Sequence, residues 1–254
     1  MIVSYPLNIT KDHPVEIHPG KLPEIERSLI SEIKDEIKYY PLSAPQKRIF
    51  IMEQMDKIIH NTPVLLSIEG KLDIGKLSKA IQTLVDRHEG LRLSFHMVDE
   101  VPVQILNKRV KLKKTYRKSG EDIDEIIQEH LKPFDISRAP LFRVELLKAS
   151  SEKHFLFLDF HNIIFDGVSL NIFIRELLEI YHGKELPPLT FQYNDFALWQ
   201  SSFLQSDQIK KYEEYWLKVF ADEIPSLNLF TDYSRRPGQG FSGDRYDFTL
   251  DFKL

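Results

Sequence analysis

Two periods alternate along this chain. Apolar residues three or four positions apart predict amphipathic helices, and alternating or short continuous apolar runs predict strands. Residues 1 to 20, broken by Pro6, Pro14, Pro19 and Gly20, read as a leader or linker. Residues 21–38 carry Ile25, Leu29, Ile33 and Ile37 among Glu, Lys and Ser, a narrow apolar stripe that packs on its own domain, connects two domains, or docks a partner chain. Ser43 is placed to cap a helix through Gln46, Arg48, Ile49, Phe50 and Met52, with Pro45 in its first turn. Asp73 caps the next helix, 74–88, whose stripe is Leu77, Ala80, Ile81, Leu84 and Val85.

Residues 62–71, 110–116 and 141–147 read as strands, and 91–95 and 103–106 as a hairpin joined through a turn at 98–102. Further helices are predicted over 121–131, 170–181, 194–204 and 207–220. In the second of these Ile172, Phe173, Leu177 and Ile180 form the buried face and Gly183 marks the end. Trp199, Tyr212, Tyr215 and Trp216 supply large apolar area for packing. A loop over 232–243 leads to a last strand, 245–252, and a strand with no partner after it points to a fold that continues; a native stop codon after Leu254 would count against that.

One stretch organises the rest: Phe155-Leu-Phe-Leu-Asp-Phe-His-Asn-Ile-Ile-Phe-Asp-Gly-Val-Ser169. An apolar strand stops at His161, and His161, Asn162, Asp166 and Gly167 follow within seven positions, as when a buried strand delivers polar side chains to a cleft. Gly167 is expected to permit a turn that most residues resist, and Ser169 to cap the helix beyond it. Strands, helices and hairpins in this order predict an α/β fold, a mixed sheet covered by helices.

Composition narrows the function classes. At 254 residues and 42% hydrophobic the chain has ample material for a core, and its net charge of -4 is spread along the sequence, so no field gathers nucleic acid or an anionic membrane. The absence of cysteine removes disulfides, thiolate nucleophiles and cysteine metal sites, and suits a reducing cytoplasm. No basic-then-apolar leader is present, and no apolar run reaches the ~20 residues of a membrane span. The expectation is a soluble, cytoplasmic protein.

His161 reads either as an acid or base near neutral pH or as a neutral ring satisfied by the backbone, and the structural reading is favoured. Asp166 acts chemically, caps a helix, or forms half of an ion pair. Asn162 donates and accepts hydrogen bonds, and so orients a substrate or an oxyanion, but is no general base. Metal binding has weak support, because His154 lies an odd offset from His161 and points to the opposite face. No Gly-rich phosphate loop and no Gly-x-Ser-x-Gly elbow occurs.

Four stretches, in order, resemble the condensation domains of non-ribosomal peptide synthetases, within the chloramphenicol-acetyltransferase-like superfamily. Tyr40-Pro-Leu-Ser-Ala-Pro-Gln-Lys-Arg48 resembles the first core motif, Ser-x-Ala-Gln-x-Arg, with Pro45 where Ala is usual. Arg87-His-Glu-Gly-Leu-Arg92 with Phe95 resembles Arg-His-Glu-x-Leu-Arg. His161-Asn-Ile-Ile-Phe-Asp-Gly167 resembles His-His-x-x-x-Asp-Gly, and Tyr193-Asn-Asp-Phe-Ala-Leu-Trp199 resembles Tyr-x-Asp-Phe-Ala-x-Trp.

The resemblance implies one acetyltransferase-like sandwich of a two-lobed V: residues 39–254 as the N-terminal lobe and the start of the crossover to a C-terminal lobe, after a leader over 1–38. It implies no directly bound cofactor and no metal. The substrates are the phosphopantetheine arms of carrier proteins, and the partners are upstream donor and downstream acceptor carrier domains, the C-terminal lobe and an adenylation domain. The reaction is attack of an aminoacyl amine on an acyl thioester. By the same resemblance Asn162 stands at the second His, credited with positioning or deprotonating the amine; His161 matches the first, structural His. Asp166, followed by the motif Gly167, pairs with Arg87, Arg92 being a second candidate. His161 excludes the heterocyclising subclass, which has Asp there. Relatives that recruit an oxygenase also lose the second His, to Arg, so a non-catalytic recruitment module is the alternative.

Overall fold

The computed structural model describes residues 38–55, 60–112, 114–118 and 132–222, and singly 224, 230, 232, 248 and 249. The segments expected at 1–20, 21–38, 121–131, 232–243 and 245–252 lie outside these residues, apart from Lys38, Asp232, Phe248 and Thr249. The chain divides into two compact units, Met1–Ile209 and Lys210–Leu254.

In chain order the first unit contains β1 (Lys38–Pro41), α1 (Ala44–Met55), β2 (Asn61–Glu69) and α2 (Ile74–Arg87), then a 3-10 turn (Glu89–Arg92), β3 (Leu93–Val98) and β4 (Val101–Leu106). It continues through β5 (Lys114–Lys118), β6 (Phe142–Lys148), β7 (Lys153–His161), α3 (Gly167–Tyr181) and α4 (Tyr193–Leu204). The helix α5 (Gln208–Val219) enters the second unit.

The expected mixed sheet is present, in the order β2-β7-β6-β5, antiparallel except for the parallel pair β5/β6. Alternation gives β7 two buried faces. Leu156, Leu158 and Phe160 join Phe142, Val144 and Leu146 of β6 in the larger core, and the predicted α2 stripe, Leu77, Ala80, Ile81, Leu84 and Val85, covers them together with Phe173 and Leu177 of α3. On the opposite face Asp159, fully buried, is matched by Arg143 directly across the strands at 2.9 Å and by Asn61 Nδ2 at 2.8 Å. Arg143 also donates to the carbonyls of Lys132 and Pro133 and stacks its guanidinium 3.7 Å from the Phe134 ring centre, so the buried charge is well compensated.

A second sheet, β1-β4-β3, is wholly antiparallel. It packs through a smaller core of Leu42, Phe50, Leu93, Phe95, Ile136, Leu141 and Ile163, and the Phe95 N–H donates to the Ile136 carbonyl at 2.8 Å. Its hairpin turn is tighter than expected: Asp99 and Glu100, at φ 47° and 64°, alone connect the paired Val98 and Val101.

Other expectations are corrected. β1 falls where the sequence shows only a break, because four residues ending in Pro41 are too short to alternate. Leu91 belongs to a 3-10 turn held by Arg92, whose side chain donates to the Val85, Asn107 and Lys108 carbonyls, and the strand begins at Leu93. Val110 is buried in the core ahead of β5. In α3 Ile172 is exposed, while Glu176 takes a place on the buried face. Trp199, Tyr212, Tyr215 and Trp216 are exposed and outside the buried cores, although Trp199 stacks on Phe203 and Trp216 on Phe220. Among the described residues no helix is long and apolar enough to cross a membrane.

Leu84, with no exposed surface, is central to the α2 stripe, so Leu84→Ala is expected to lower stability by about 2 to 5 kcal/mol. Ile172→Ala changes it by about 0.5 kcal/mol or less. Urea unfolding midpoints of the two variants check this contrast.

Candidate functional site

The last residue of β7 points away from α2 and α3, toward α1. The His161 ring is 1% exposed, and its Nδ1 accepts the Ile163 N–H at 3.1 Å, which leaves the proton on Nε2 to donate to Glu53 Oε1 of α1 at 2.9 Å. Burial holds this imidazole below its usual range, against the raising effect of Glu53. With both nitrogens engaged and Phe134 edge-on to the ring, His161 fixes the turn and offers no proton acceptor.

Asn162, the next residue, is exposed. Its backbone N–H donates to the His60 carbonyl at 2.8 Å, and its Oδ1 accepts the Thr62 hydroxyl. It lines a cavity of about 590 Å³, largely apolar, together with Asp166, Ile172, His88 and Phe191. Asp166 caps α3: its Oδ1 accepts the Ser169 N–H at 2.7 Å and the Ser169 hydroxyl at 2.6 Å. The cap is therefore Asp166, with Ser169 its partner, because the carboxylate lies three residues ahead of an unpaired N–H. Gly167 opens the helix without a positive φ, and a Cβ there would meet no atom within 4 Å, so the turn does not require glycine.

The ion pair between Arg87 and Asp166 does not form. Arg87 Nε pairs with Glu176 Oε2 at 3.1 Å, and the same oxygen takes His88 Nε2 at 2.7 Å, because Asp166 is engaged at the helix start while Glu176 lies on the face of α3 that meets α2. These two partners hold the Glu176 carboxyl below its ordinary range, although burial pushes the other way. Arg92 binds backbone carbonyls and is not the partner either.

The four stretches singled out in the sequence converge here. Ser43 and Gln46 reciprocally cap α1, and the Gln46 amide reaches the Gln104 side chain at 3.1 Å and the Ile163 carbonyl at 3.4 Å. Ser43 Oγ and the Tyr193 hydroxyl are 2.8 Å apart, and Asn194 donates to Glu89 at 3.0 Å. Gln192 joins the Glu89 N–H and the Arg87 carbonyl. Burial, with Glu89 and Asp195 near, pushes the Tyr40 hydroxyl up.

Sequence reasoning missed Glu53, Thr62, Glu176 and the buried Gln46–Gln104 pair. Glu176 left a signal, an acidic residue within an apolar helix face. Glu53 and Thr62 left none, because their partners are about a hundred residues away. Among the described residues no group of three or more His, Asp or Glu could hold a metal ion. A second cavity, about 780 Å³, lies beside α2 and the end of α3 with Lys76, Lys79 and Lys184 on its wall, apart from Asn162.

One family model, described as Condensation domain, matches residues 36–254. The chain is 46% identical over 220 residues to bacitracin synthase 3 of Bacillus licheniformis, covering 85% of this chain and 4% of that protein. It is equally identical, over 222 residues, to gramicidin S synthase 2 of Brevibacillus brevis, covering 86% and 5%. Among solved structures it is similar to the X-domain in its complex with OxyB from teicoplanin biosynthesis, with TM-score 0.70 and 26% identity over 82% of this chain and 48% of that one. The fold is shared with the condensation domain from the monacolin K polyketide synthase MokA, with TM-score 0.65 and 23% identity over 71% and 42%. The chain thus spans a twentieth or less of these synthases and about half of these solved chains.

Two carboxylate and imidazole contacts set the acid response. His161 is depressed in the fold, so its contribution to stability is full above 6.5 and is lost as pH falls below that value toward the folded pKa. Glu176 is also depressed, and its contribution is lost as pH falls below 4.5. Denaturant midpoints are expected to fall in these two windows, and His161→Phe to flatten the first. Glu176→Ala, which leaves Arg87 without its carboxylate, is expected to lower stability by on the order of 3 kcal/mol at neutral pH.

Proposed function

The chain belongs to the condensation-domain family, and from that premise we propose that residues 39–254 are the N-terminal lobe, with the start of the crossover, of a condensation domain in a cytoplasmic non-ribosomal peptide synthetase. Residues 1–38 are its leader. The reaction joins a donor acyl thioester to the amine of an acceptor aminoacyl group, each carried on the phosphopantetheine arm of a carrier domain, with an adenylation domain and the C-terminal lobe as neighbours. The observation that supports this reading is the convergence of the four stretches around one cavity into which Asn162 opens.

Asn162 stands where the second His of the resemblance stands. It has no titratable proton, and His161 beside it is buried and occupied, so neither motif position supplies an imidazole base for amide formation. Losing a general base removes a factor of about 10² to 10⁴, or roughly 3 to 5 kcal/mol of barrier. Holding two tethered reactants together supplies several kcal/mol, and slow turnover remains. A second reading, a non-catalytic recruitment module, is favoured by the likeness to the X-domain, a protein solved in complex with OxyB.

Asn162→His in the full-length protein separates the two readings. On the catalytic reading, amide formation between loaded carriers rises about 10²-fold or more. Product that stays at background in that variant counts for the recruitment module.

A further inference from the structure

We infer that Asn162 faces the reacting carbonyl as a hydrogen-bond donor, and that Thr62 is the positioning residue that fixes it so. This inference rests on the condensation reading above. A carboxamide carries one acceptor oxygen and one NH₂ with two donors, and which of them meets the substrate depends on what holds the other. Here the oxygen is held: Thr62, at the start of β2, donates its hydroxyl to Asn162 Oδ1. The backbone is held from the same place, by the 2.8 Å bond from the Asn162 N–H to the His60 carbonyl. Asn162 Nδ2 meets no partner among the described residues, and the exposed side chain lines the 590 Å³ cavity. The carboxamide therefore has its oxygen bonded to Thr62 and the two N–H donors of Nδ2 left for the cavity.

The position of Thr62 supports a purpose for its hydroxyl. Along β2 the half-buried, inward positions are Thr62, Val64, Leu66 and Ile68. Three of the four are aliphatic, and the polar one lies where β2 reaches the end of β7, opposite Phe160 and two residues from Asn162.

The ligand group such a donor suits is a carbonyl oxygen that gains negative charge, as a thioester oxygen does when an amine adds to its carbon. The amine nitrogen forms the C–N bond, and the carbonyl π pair moves to the oxygen, where Asn162 Nδ2–H meets it. On collapse the C–S bond breaks, the pair returns, and the proton from the nitrogen ends on the departing thiolate. Asn162 takes no proton at any stage.

The test uses the full-length protein with loaded carriers, measuring kcat and KM for amide formation, with Asn162→His as the reference for a working condensation domain. Thr62→Val, nearly isosteric, is expected to lower kcat about tenfold or more with little change in KM, because it releases the amide from its orientation. Thr62→Ser restores the hydroxyl and the rate. Asn162→Ala and Asn162→Asp are both expected to lose about 10²-fold, the aspartate because it offers only acceptors. Wild-type kcat in Thr62→Val or in Asn162→Asp overturns the inference while Asn162→His activity leaves the condensation reading standing. If neither the wild type nor Asn162→His forms amide, the condensation reading falls and the inference with it.

Discussion

A strand has two faces, and β7 must bury both. That constraint is met only because its alternation is served by two different environments, the apolar cover of α2 and α3 on one side and the Arg143–Asp159–Asn61 network on the other. Where β7 ends, the same alternation divides neighbours by role. Phe160 goes to the larger core, His161 to the opposite side against Glu53 and Phe134, and Asn162, past the last ladder position, is the first residue left to the cavity. The site is thus the place where a two-faced strand stops being covered.

Much of this was legible in the sequence, and the reasons it was legible are physical. The α2 stripe, the Asp73 cap and the end of β7 are local, written within a turn or a strand, and periodicity reports them. The fold class followed from the order of such elements. What stayed hidden is non-local. The partner of Arg87 is 89 residues away on α3, and Asp166, nearer in the motif, was unavailable because it caps its own helix. The short edge strand β1 and the two-residue Asp99–Glu100 turn failed for a different reason, being too brief to show a period and lacking the glycine or asparagine that marks such a turn.

The chemistry of the site is set less by charge than by what is already occupied. His161, Asp166, Glu176 and Gln192 all lie at or near the cavity, yet each is engaged within the protein: both His161 nitrogens, Asp166 Oδ1, Glu176 Oε2 and the Gln192 amide. On the function proposed here the substrate meets an apolar wall and a carboxamide, an arrangement that orients reactants and stabilises developing charge better than it moves protons.

The chain between α3 and α4 is moored twice to one residue. Arg87 donates its guanidinium to the Pro187 carbonyl at 2.6 Å and accepts Gln192 Nε2 on its own carbonyl at 3.0 Å. The intervening span, which carries Leu189 and Phe191 to the cavity wall, is a bridge resting on two piers built into the end of α2. Its side chains can be exchanged to reshape the cavity while the piers, and the helix pair they brace, stay where they are.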